Sequence, residues 1–351
     1  MDRSQVRVAV VGNGVSGLST ALEFLQRGFT NLHVISDFDP TKDPKELQVS
    51  NVACAWWYPS YDGGAEDPQR LRRFAVDTYR RFETLAATED VSLHGARFEH
   101  GLREYDSEKE VPWWASVVRN FRRASKEELR LKGSVSGFTF DSLFFDMSKF
   151  MPYLREKVAS LSPFGQDVFV YAKVTSLDVL GAHFDVVANC AGLGASQLAG
   201  DDFNATKPMR GQVLLVKGPP SMEGFGFWGQ NRKSAPSSPT IVLPRCNNTY
   251  VVGNDASPDS TDRTVNKDMS KRIWERATRA VPQLKQGTVL GEFVGLRPVR
   301  EGGPRVELAT RNGTIVVHNY GHGGSGAMLC FGCAGEAVSL VGAALFGKAS
   351  L

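Results

Sequence analysis

The sequence has few cysteines and lacks any long apolar run. Its 5 cysteines among 351 residues show no repeated spacing, which excludes a disulfide framework and predicts reduced thiols. No uninterrupted apolar run of about 18 residues, the length that predicts a membrane span, is present. The N-terminus leads directly into an apolar strand without a signal peptide, so we expect an intracellular protein with no membrane partner.

The chain also lacks a strong charge imbalance, since its formal net charge is only +3. Glu127 and Glu128 interrupt the most basic segment, residues 119–132, which predicts a solvated helix face rather than a nucleic-acid surface. We predict no metal site. The C-terminal Ala349-Ser350-Leu351 only loosely resembles a peroxisomal address, and the cytoplasm is therefore favoured over the peroxisome.

A glycine turn lies near the start of the chain. The apolar run Arg7–Val11 leads into Gly12-Asn13-Gly14-Val15-Ser16-Gly17, and apolar residues at helical spacing follow. Glycines in such a strand–turn–helix unit let the backbone approach a pyrophosphate, to which the helix N-terminus offers N–H groups. Asp37 follows the second predicted strand, Leu32–Ser36, at a position where an acid accepts ribose hydroxyls. The unit predicts a bound adenine dinucleotide.

A second glycine-dense segment lies near the end of the chain. It reads Val316-Val317-His318-Asn319-Tyr320-Gly321-His322-Gly323-Gly324-Ser325-Gly326, and Gly332-Cys333-Ala334 follows. Without Cβ atoms to hold a ligand away, a flat cofactor or a phosphate can lie directly on the backbone N–H groups. Two such motifs at opposite ends of the chain favour a cofactor site over a surface loop.

The order of predicted elements indicates an α/β fold with two domains. We predict a discontinuous Rossmann-type cofactor domain from residues 1–55, 146–197 and 291–351. Between its pieces, residues 56–145 and 198–290 predict a mostly antiparallel α+β substrate domain, because their apolar strands alternate. The segment 219–239 is rich in proline, serine and glycine and predicts a long loop or lid.

Several blocks of the sequence resemble the D-amino-acid and D-aspartate oxidases, and together they cover nearly the whole chain. The C-terminal glycine segment is similar to the signature of that family, Asn51–Pro59 to its flavin-lining segment, and Asn189–Gly192 to its Asn-Cys-Thr-Gly turn. The resemblance implies FAD as cofactor. It implies cofactor contacts from Gly12, Gly14, Val15, Ser16, Gly17, Asp37, Asn51, Val52, Ala53, Val174, Ala191, Gly192, Gly323, Gly324, Ser325, Gly326, Ala327 and Met328.

The same resemblance implies an activity. Gly295–Arg300 is similar to the block whose arginine pairs with the substrate carboxylate, and it assigns that role to Arg297. The implied reaction is oxidative deamination of a D-amino acid, with hydride transfer to flavin N5 and reoxidation of the flavin by O2 to give hydrogen peroxide. The imino acid that forms is hydrolysed to a keto acid and ammonia. The expected partners are therefore a small-molecule substrate and O2, and a homodimer is one open possibility for the assembly.

Departures from the family pattern concern the substrate pocket. Ile241 or Thr240 replaces a tyrosine whose hydroxyl binds the substrate carboxylate in the family, and a second tyrosine is missing near Ser237. Tyr58 differs from the usual residue beside the flavin. These differences keep two alternatives open, namely a glycine-oxidase-like enzyme for a secondary or cyclic amino acid and a flavin-binding protein without turnover.

Asp255 is a further candidate for the substrate pocket. In the acidic-substrate branch of the family an arginine follows the comparable strand, whereas the same register here places an acid. A reversed charge predicts that D-aspartate is a poor substrate and that basic or neutral D-amino acids are better. The alternative is that Asp255 caps a turn with Asn254 and faces water.

Overall fold

The computed structural model describes residues 2–40, 42, 49–59, 65–200, 206–222, 224–230 and 239–347. Its helices are α1 (Val15–Gln26), α2 (Val49–Val52), α3 (Pro68–Thr88), α4 (Val91–His94), α5 (Met147–Leu161), α6 (Leu177–Gly181), α7 (Ala195–Ala199), α8 (Lys267–Ala280) and α9 (Gly326–Phe346). Its strands are β1 (Val8–Val11), β2 (Leu32–Ser36), β3 (Cys54–Trp56), β4 (Ala96–Tyr105), β5 (Arg119–Arg123), β6 (Ser136–Asp146), β7 (Phe169–Tyr171), β8 (Val186–Asn189), β9 (Thr206–Lys217), β10 (Phe225–Gln230), β11 (Thr240–Arg245), β12 (Thr249–Pro258), β13 (Thr288–Arg300), β14 (Arg305–Arg311) and β15 (Thr314–Tyr320).

The first sheet has six strands in the order β14-β15-β8-β1-β2-β7. Its pairings are parallel from β15 to β7, and only β14 runs antiparallel to its neighbour. Successive β1 side chains point to opposite faces: Val8 and Val10 join the core beneath α1, whereas Ala9 and Val11 pack with Leu177 of α6. Helices on both faces of a parallel sheet confirm the predicted Rossmann-type unit.

The second sheet has nine strands, with β13-β9-β12-β11-β10-β4-β6-β3 in order and β5 paired to β6. All of its pairings are antiparallel except that of β10 with β4. One face packs on α8, where Phe227 and Val252 contact Ile273. The opposite face carries Trp228 and Tyr105 into the main core. The predicted α+β character of this unit is thereby confirmed.

Strand β13 crosses one of the predicted domain boundaries. The boundary was placed at residue 291, but β13 pairs with β9 continuously from Thr288 to Arg300, apart from one irregularity near Gly291. The backbone hydrogen bonds of a ladder continue until the register ends, so residues 291–300 lie in the nine-stranded sheet. Arg297 consequently lies on that sheet and not on the cofactor sheet.

The prediction of a solvated helix in the basic segment 119–132 is wrong. Residues Arg119–Arg123 form the exposed strand β5, which pairs with β6, and a short 3-10 turn follows at Lys126–Glu128. The charges themselves are neutralised locally, because Arg122 donates to Glu128 at 2.6 Å. Pairing along β6 overrode the weak local preference of a charged segment.

Helix α9 is apolar and long enough to cross a membrane, judged by length and composition alone. It is also a core helix, because Ala334, Val338 and Val341 are buried and contacts link it to α1 and α3. Close approach to α3 depends on Gly332, where an added Cβ would lie 2.2 Å from the carbonyl oxygen of Phe74. The packing accounts for the apolar composition.

We predict that Gly332→Ala lowers the free energy of unfolding by about 1–3 kcal/mol, because backbone atoms of α3 would have to move. Gly335→Ala on the same helix is the matched control, since its Cβ would lie 3.7 Å from Arg27 Nη2 in ordinary contact. Loss of backbone entropy in the unfolded chain should make the control neutral or stabilising by up to about 1 kcal/mol. Urea unfolding of both variants is the measurement, and equal stabilities would contradict the packing argument.

Candidate active site

The predicted cofactor residues gather at one edge of the six-stranded sheet. Gly12 follows β1, Asp37 follows β2, Val174 follows β7, Ala191 follows β8, and Gly323 follows β15. Parallel strands end at the same edge, and ligands of open α/β sheets bind in the crevice outside their carboxyl ends. The structure therefore brings together motifs that are more than 300 residues apart.

The first turn is built around two glycines that no other residue could replace. Gly12 has φ +105° and lies so close to the turn after β8 that an added Cβ would be 2.5 Å from the Cys190 oxygen. A Cβ on Gly17 would lie 1.8 Å from the Gly12 oxygen. Gly12 and Gly17 thus allow the turn to pack closely. Gly14, Val15 and the N-terminus of α1 lie at the crevice.

The C-terminal glycine segment lies over the start of α1. A Cβ added to Gly326 would be 3.4 Å from Val15 Cγ1, and Ser16 Oγ lies 3.3 Å from His322 Nδ1. Helix α9 starts at Gly326, and Ala327 and Met328 belong to its buried first turn. The N-termini of α1 and α9 therefore converge, and both present backbone N–H groups and positive dipole ends to an anionic ligand.

A buried arginine holds the segment that follows α2. Arg245 Nη2 donates to the carbonyl oxygens of Asn51 and Ala53 at 3.2 and 2.7 Å, and its Nε lies 3.7 Å from Asp146 Oδ1. The backbone of Val52 lies between these two contacts. Arg245 therefore fixes the predicted flavin-lining segment from the second sheet.

The described residues fit FAD. Gly192, with φ +59°, has nothing within 4 Å of an added Cβ, so the turn after β8 is open above its backbone. His322 Nε2 is buried without a hydrogen-bond partner among the described residues, which leaves a polar atom for a cofactor group. Asp37 is exposed at the end of β2, where a ribose would lie.

Arg297 is the central residue on the substrate side. Its Nη2 donates to Asn254 Oδ1 at 3.1 Å, and its Nη1 is buried without a partner in the described part of the chain. The guanidinium lies across the backbone of β9, because a Cβ on Gly211 would be 2.2 Å from Nη1. A Cβ added to Gly324 of the cofactor loop would lie 3.5 Å from Arg297 Cδ. Burial lowers the pKa of Arg297. Among the described residues, no acid forms a salt bridge with it.

The sheet register separates Asp255 from Arg297. Asp255 pairs with Gln212, whose amide donates to Ser270 of α8 at 2.7 Å, so the two side chains share the α8 face. The carboxylate of Asp255 lies 4.0 Å from Arg272 Nη2. An irregularity between Val252 and Asp255 instead turns Asn254 toward Arg297. This geometry does not support the predicted contact between Asp255 and the substrate. It does not support the alternative either, in which Asp255 caps a turn with Asn254 and faces water.

Aromatic residues line the rest of the pocket. Ile241 pairs with Trp228 across β11 and β10, which places both side chains on the Arg297 face. Tyr58 is half-buried, with its ring 5.9 Å from that of Trp228. Burial raises the pKa of Tyr58 to about 12, and Arg103 and Arg297 counter that rise. Its hydroxyl stays protonated at working pH and can donate. Ser237 lies outside the described residues.

Two residues of this pocket were not anticipated from the sequence. Asn254 reaches Arg297 only because of the irregularity in β12, and Arg103 enters the pocket from β4, far away in the chain. Neither belongs to a motif. The Gly253-Asn254 step after an apolar strand could have indicated Asn254, whereas β4 holds two arginines and two glutamates and gives no signal that singles out Arg103.

Comparisons with known proteins agree with this geometry. A family model described as FAD dependent oxidoreductase matches residues 7–340. A D-amino-acid oxidase of Rubrobacter xylanophilus is 34% identical over 98% of both chains, and human D-aspartate oxidase is 31% identical over 95% of this chain and 94% of its own. A glycine oxidase structure from Bacillus cereus has a TM-score of 0.76 at 17% identity, covering 99% of this chain and 97% of that one. At that identity the structural similarity concerns the fold alone.

His322 leads to a prediction about pH. Burial lowers the pKa of His322 to about 4 from its ordinary 6.5, so the unfolded chain binds a proton that the folded protein does not bind between these values. Stability is therefore lost as pH falls below about 6.5. Between pH 7.5 and 5, we expect the native protein to lose about 2 kcal/mol more than His322→Gln.

Urea unfolding at both pH values, at one fixed FAD concentration, measures this difference. His183→Gln removes an exposed histidine and is the control. It should follow the native protein. A His322→Gln variant with the same pH dependence as the native protein would show that His322 is not held neutral.

Proposed function

The chain belongs to the FAD-dependent oxidoreductase family that includes the D-amino-acid oxidases, and from this premise we propose that it deaminates D-amino acids by oxidation with O2. It is an enzyme with FAD as its cofactor and an amino acid as its substrate class. The proposal adds the D configuration, an imino acid and hydrogen peroxide as the products of oxidation, and hydrolysis of the imino acid by water to a keto acid and ammonia. FAD, when bound, supplies the two-electron acceptor for this chemistry and passes the electrons to O2.

One observation carries the proposal, namely the uncompensated guanidinium of Arg297 beside the cofactor loop. A buried cation without an acid is costly unless a ligand supplies the anion. The planar guanidinium matches a carboxylate through two parallel hydrogen bonds, and its Nη1 has no partner among the described residues. Gly324 lies beside Arg297, since a Cβ added to it would be 3.5 Å from Arg297 Cδ, and this places the anion site next to the cofactor edge.

The residues of the chain bind and orient the substrate rather than react with it. Arg297 holds the α-carboxylate, Asn254 fixes the guanidinium through its Oδ1, and the hydroxyl of Tyr58 is a donor directed at the same pocket. Ile241 and Trp228 exclude water around the α-carbon. Holding one geometry in a dry pocket accounts for catalysis without a general base.

A peroxide assay with oxygen uptake, run over a panel of D-amino acids, L-amino acids, glycine, sarcosine and D-proline, tests the proposal. We expect oxygen consumption and equimolar peroxide with D-amino acids and little reaction with their L-enantiomers. A preference for glycine or sarcosine would instead establish the glycine-oxidase-like alternative. A yellow protein that oxidises none of these compounds would support flavin binding without turnover.

Arg297→Gln should raise KM for a D-amino acid roughly tenfold to hundredfold, because a buried charge-assisted hydrogen bond contributes about 1.5–3 kcal/mol. The flavin spectrum should not change. Arg300→Gln is the comparison on the same strand, since Arg300 donates to the Gly303 oxygen and pairs with Glu66. Steady-state kinetics measure both variants. An unchanged KM in Arg297→Gln, or a larger effect in Arg300→Gln, would move the carboxylate site elsewhere.

A further inference from the structure

A second buried arginine lies on the pocket face of the nine-stranded sheet. Arg103 on β4 is only 6% exposed. Its guanidinium carbon lies 4.3 Å from the ring centres of both Tyr58 and Trp228, and 5.1 Å from that of Tyr105. Three aromatic rings therefore surround the guanidinium. Cation–π interactions with these rings stabilise its charge without occupying its N–H donors.

The N–H donors of Arg103 are unused. Its guanidinium makes no hydrogen bond to any described residue, and Nε is buried without a partner. The adjacent acid, Glu104, cannot neutralise it, because successive residues of a strand face opposite sides of the sheet. The carboxylate of Glu104 instead accepts the backbone N–H groups of Arg130 and Leu131 at 3.0 to 3.2 Å.

The sheet register places Arg103 in the substrate pocket. Arg103 pairs with Trp228, and Trp228 pairs with Ile241, so the three side chains share one face. Tyr58 lies between the two arginines, since its ring stacks on Arg103 and its hydroxyl is influenced by the charges of both Arg103 and Arg297. Arg103 and Arg297 thus lie on one face of the sheet, and neither forms a salt bridge with an acid among the described residues, whereas Arg97 on the same face pairs with Glu99.

We propose that Arg103 is a specificity-determining residue that binds the side-chain carboxylate of an acidic D-amino acid whose α-carboxylate is held by Arg297. Dicarboxylic substrates of the D-aspartate and D-glutamate type satisfy both guanidinium groups at once. The inference rests on the proposed function. It replaces the expectation that D-aspartate is a poor substrate, which depended on an acid, Asp255, that lies on the opposite face of the sheet.

The test compares D-aspartate with D-asparagine, which is nearly the same size but uncharged. In the native protein we expect a kcat/KM at least tenfold higher for D-aspartate, and in Arg103→Gln we expect this ratio to fall tenfold to hundredfold. The kcat/KM for D-alanine, which has no side-chain carboxylate, should fall by a smaller factor than that for D-aspartate. Arg119→Gln is the matched control, because Arg119 also stacks on a ring, that of Phe98 at 3.6 Å, but lies on the exposed strand β5.

Binding to the oxidised enzyme gives a second readout that does not require turnover. Succinate and its monoamide are titrated against the flavin absorption spectrum of the native protein, Arg103→Lys and Arg103→Gln. We expect succinate to bind more tightly than the monoamide, Arg103→Lys to retain part of the difference, and Arg103→Gln to abolish it.

The outcomes separate the two hypotheses. Oxidation of D-alanine without preference for D-aspartate over D-asparagine, or an unchanged ratio in Arg103→Gln, overturns the role of Arg103 and leaves the proposed function intact. Absence of turnover with every D-amino acid overturns the proposed function, and the succinate titration then decides on Arg103 alone. If Arg103→Gln does not fold, the native preference for succinate over its monoamide, together with Arg103→Lys, decides the question.

Discussion

The active site depends on a short stretch of backbone pairing that joins the two sheets. The N–H of Gly323 donates to the Pro298 oxygen at 2.8 Å, and Val299 and His322 form an isolated antiparallel bridge. Through these bonds the loop that follows β15 of the cofactor sheet is held against β13 of the substrate sheet. Backbone hydrogen bonds fix this spacing regardless of side chain, so Arg297 and the cofactor loop cannot separate without breaking these bonds.

The second constraint is steric and requires glycine where the two sheets approach each other. Gly211 leaves room for the Arg297 guanidinium to lie on β9, and Gly321 has φ +84° with Arg300 Cβ where its own Cβ would be. Any larger residue would push Arg297 away from the cofactor edge. The glycine-dense composition of the C-terminal segment therefore serves the join between sheets as much as the approach of a ligand.

Burial of two guanidinium groups in the pocket costs free energy of folding, and an anionic ligand bound to them would offset that cost. Arg103 and Arg297 are buried cations that form no salt bridge in the part of the chain that the structure describes, whereas Arg122 pairs with Glu128. An uncompensated buried charge lowers the free energy of unfolding. Burial of large aromatic side chains such as Trp57 and Phe82 offsets this loss of stability. Such local departures from good pairing are expected where a ligand completes the structure.

In the cofactor half of the protein, the secondary-structure elements that carry the glycine turns can be predicted from the sequence. Strand β1, the helix that follows the first glycine turn and strand β2 agree with the predictions, because hydrophobic period and glycine turns are local signals. In the substrate half, the tertiary structure alone determines which side chains lie in the pocket. The face on which Asp255 lies depends on a register irregularity in β12, β13 belongs to the second sheet through its pairing with β9, and Arg103 reaches the pocket through parallel pairing of β4 with β10. Each of these is set by hydrogen bonding between strands distant in sequence, and a one-residue change in register moves a side chain to the opposite face.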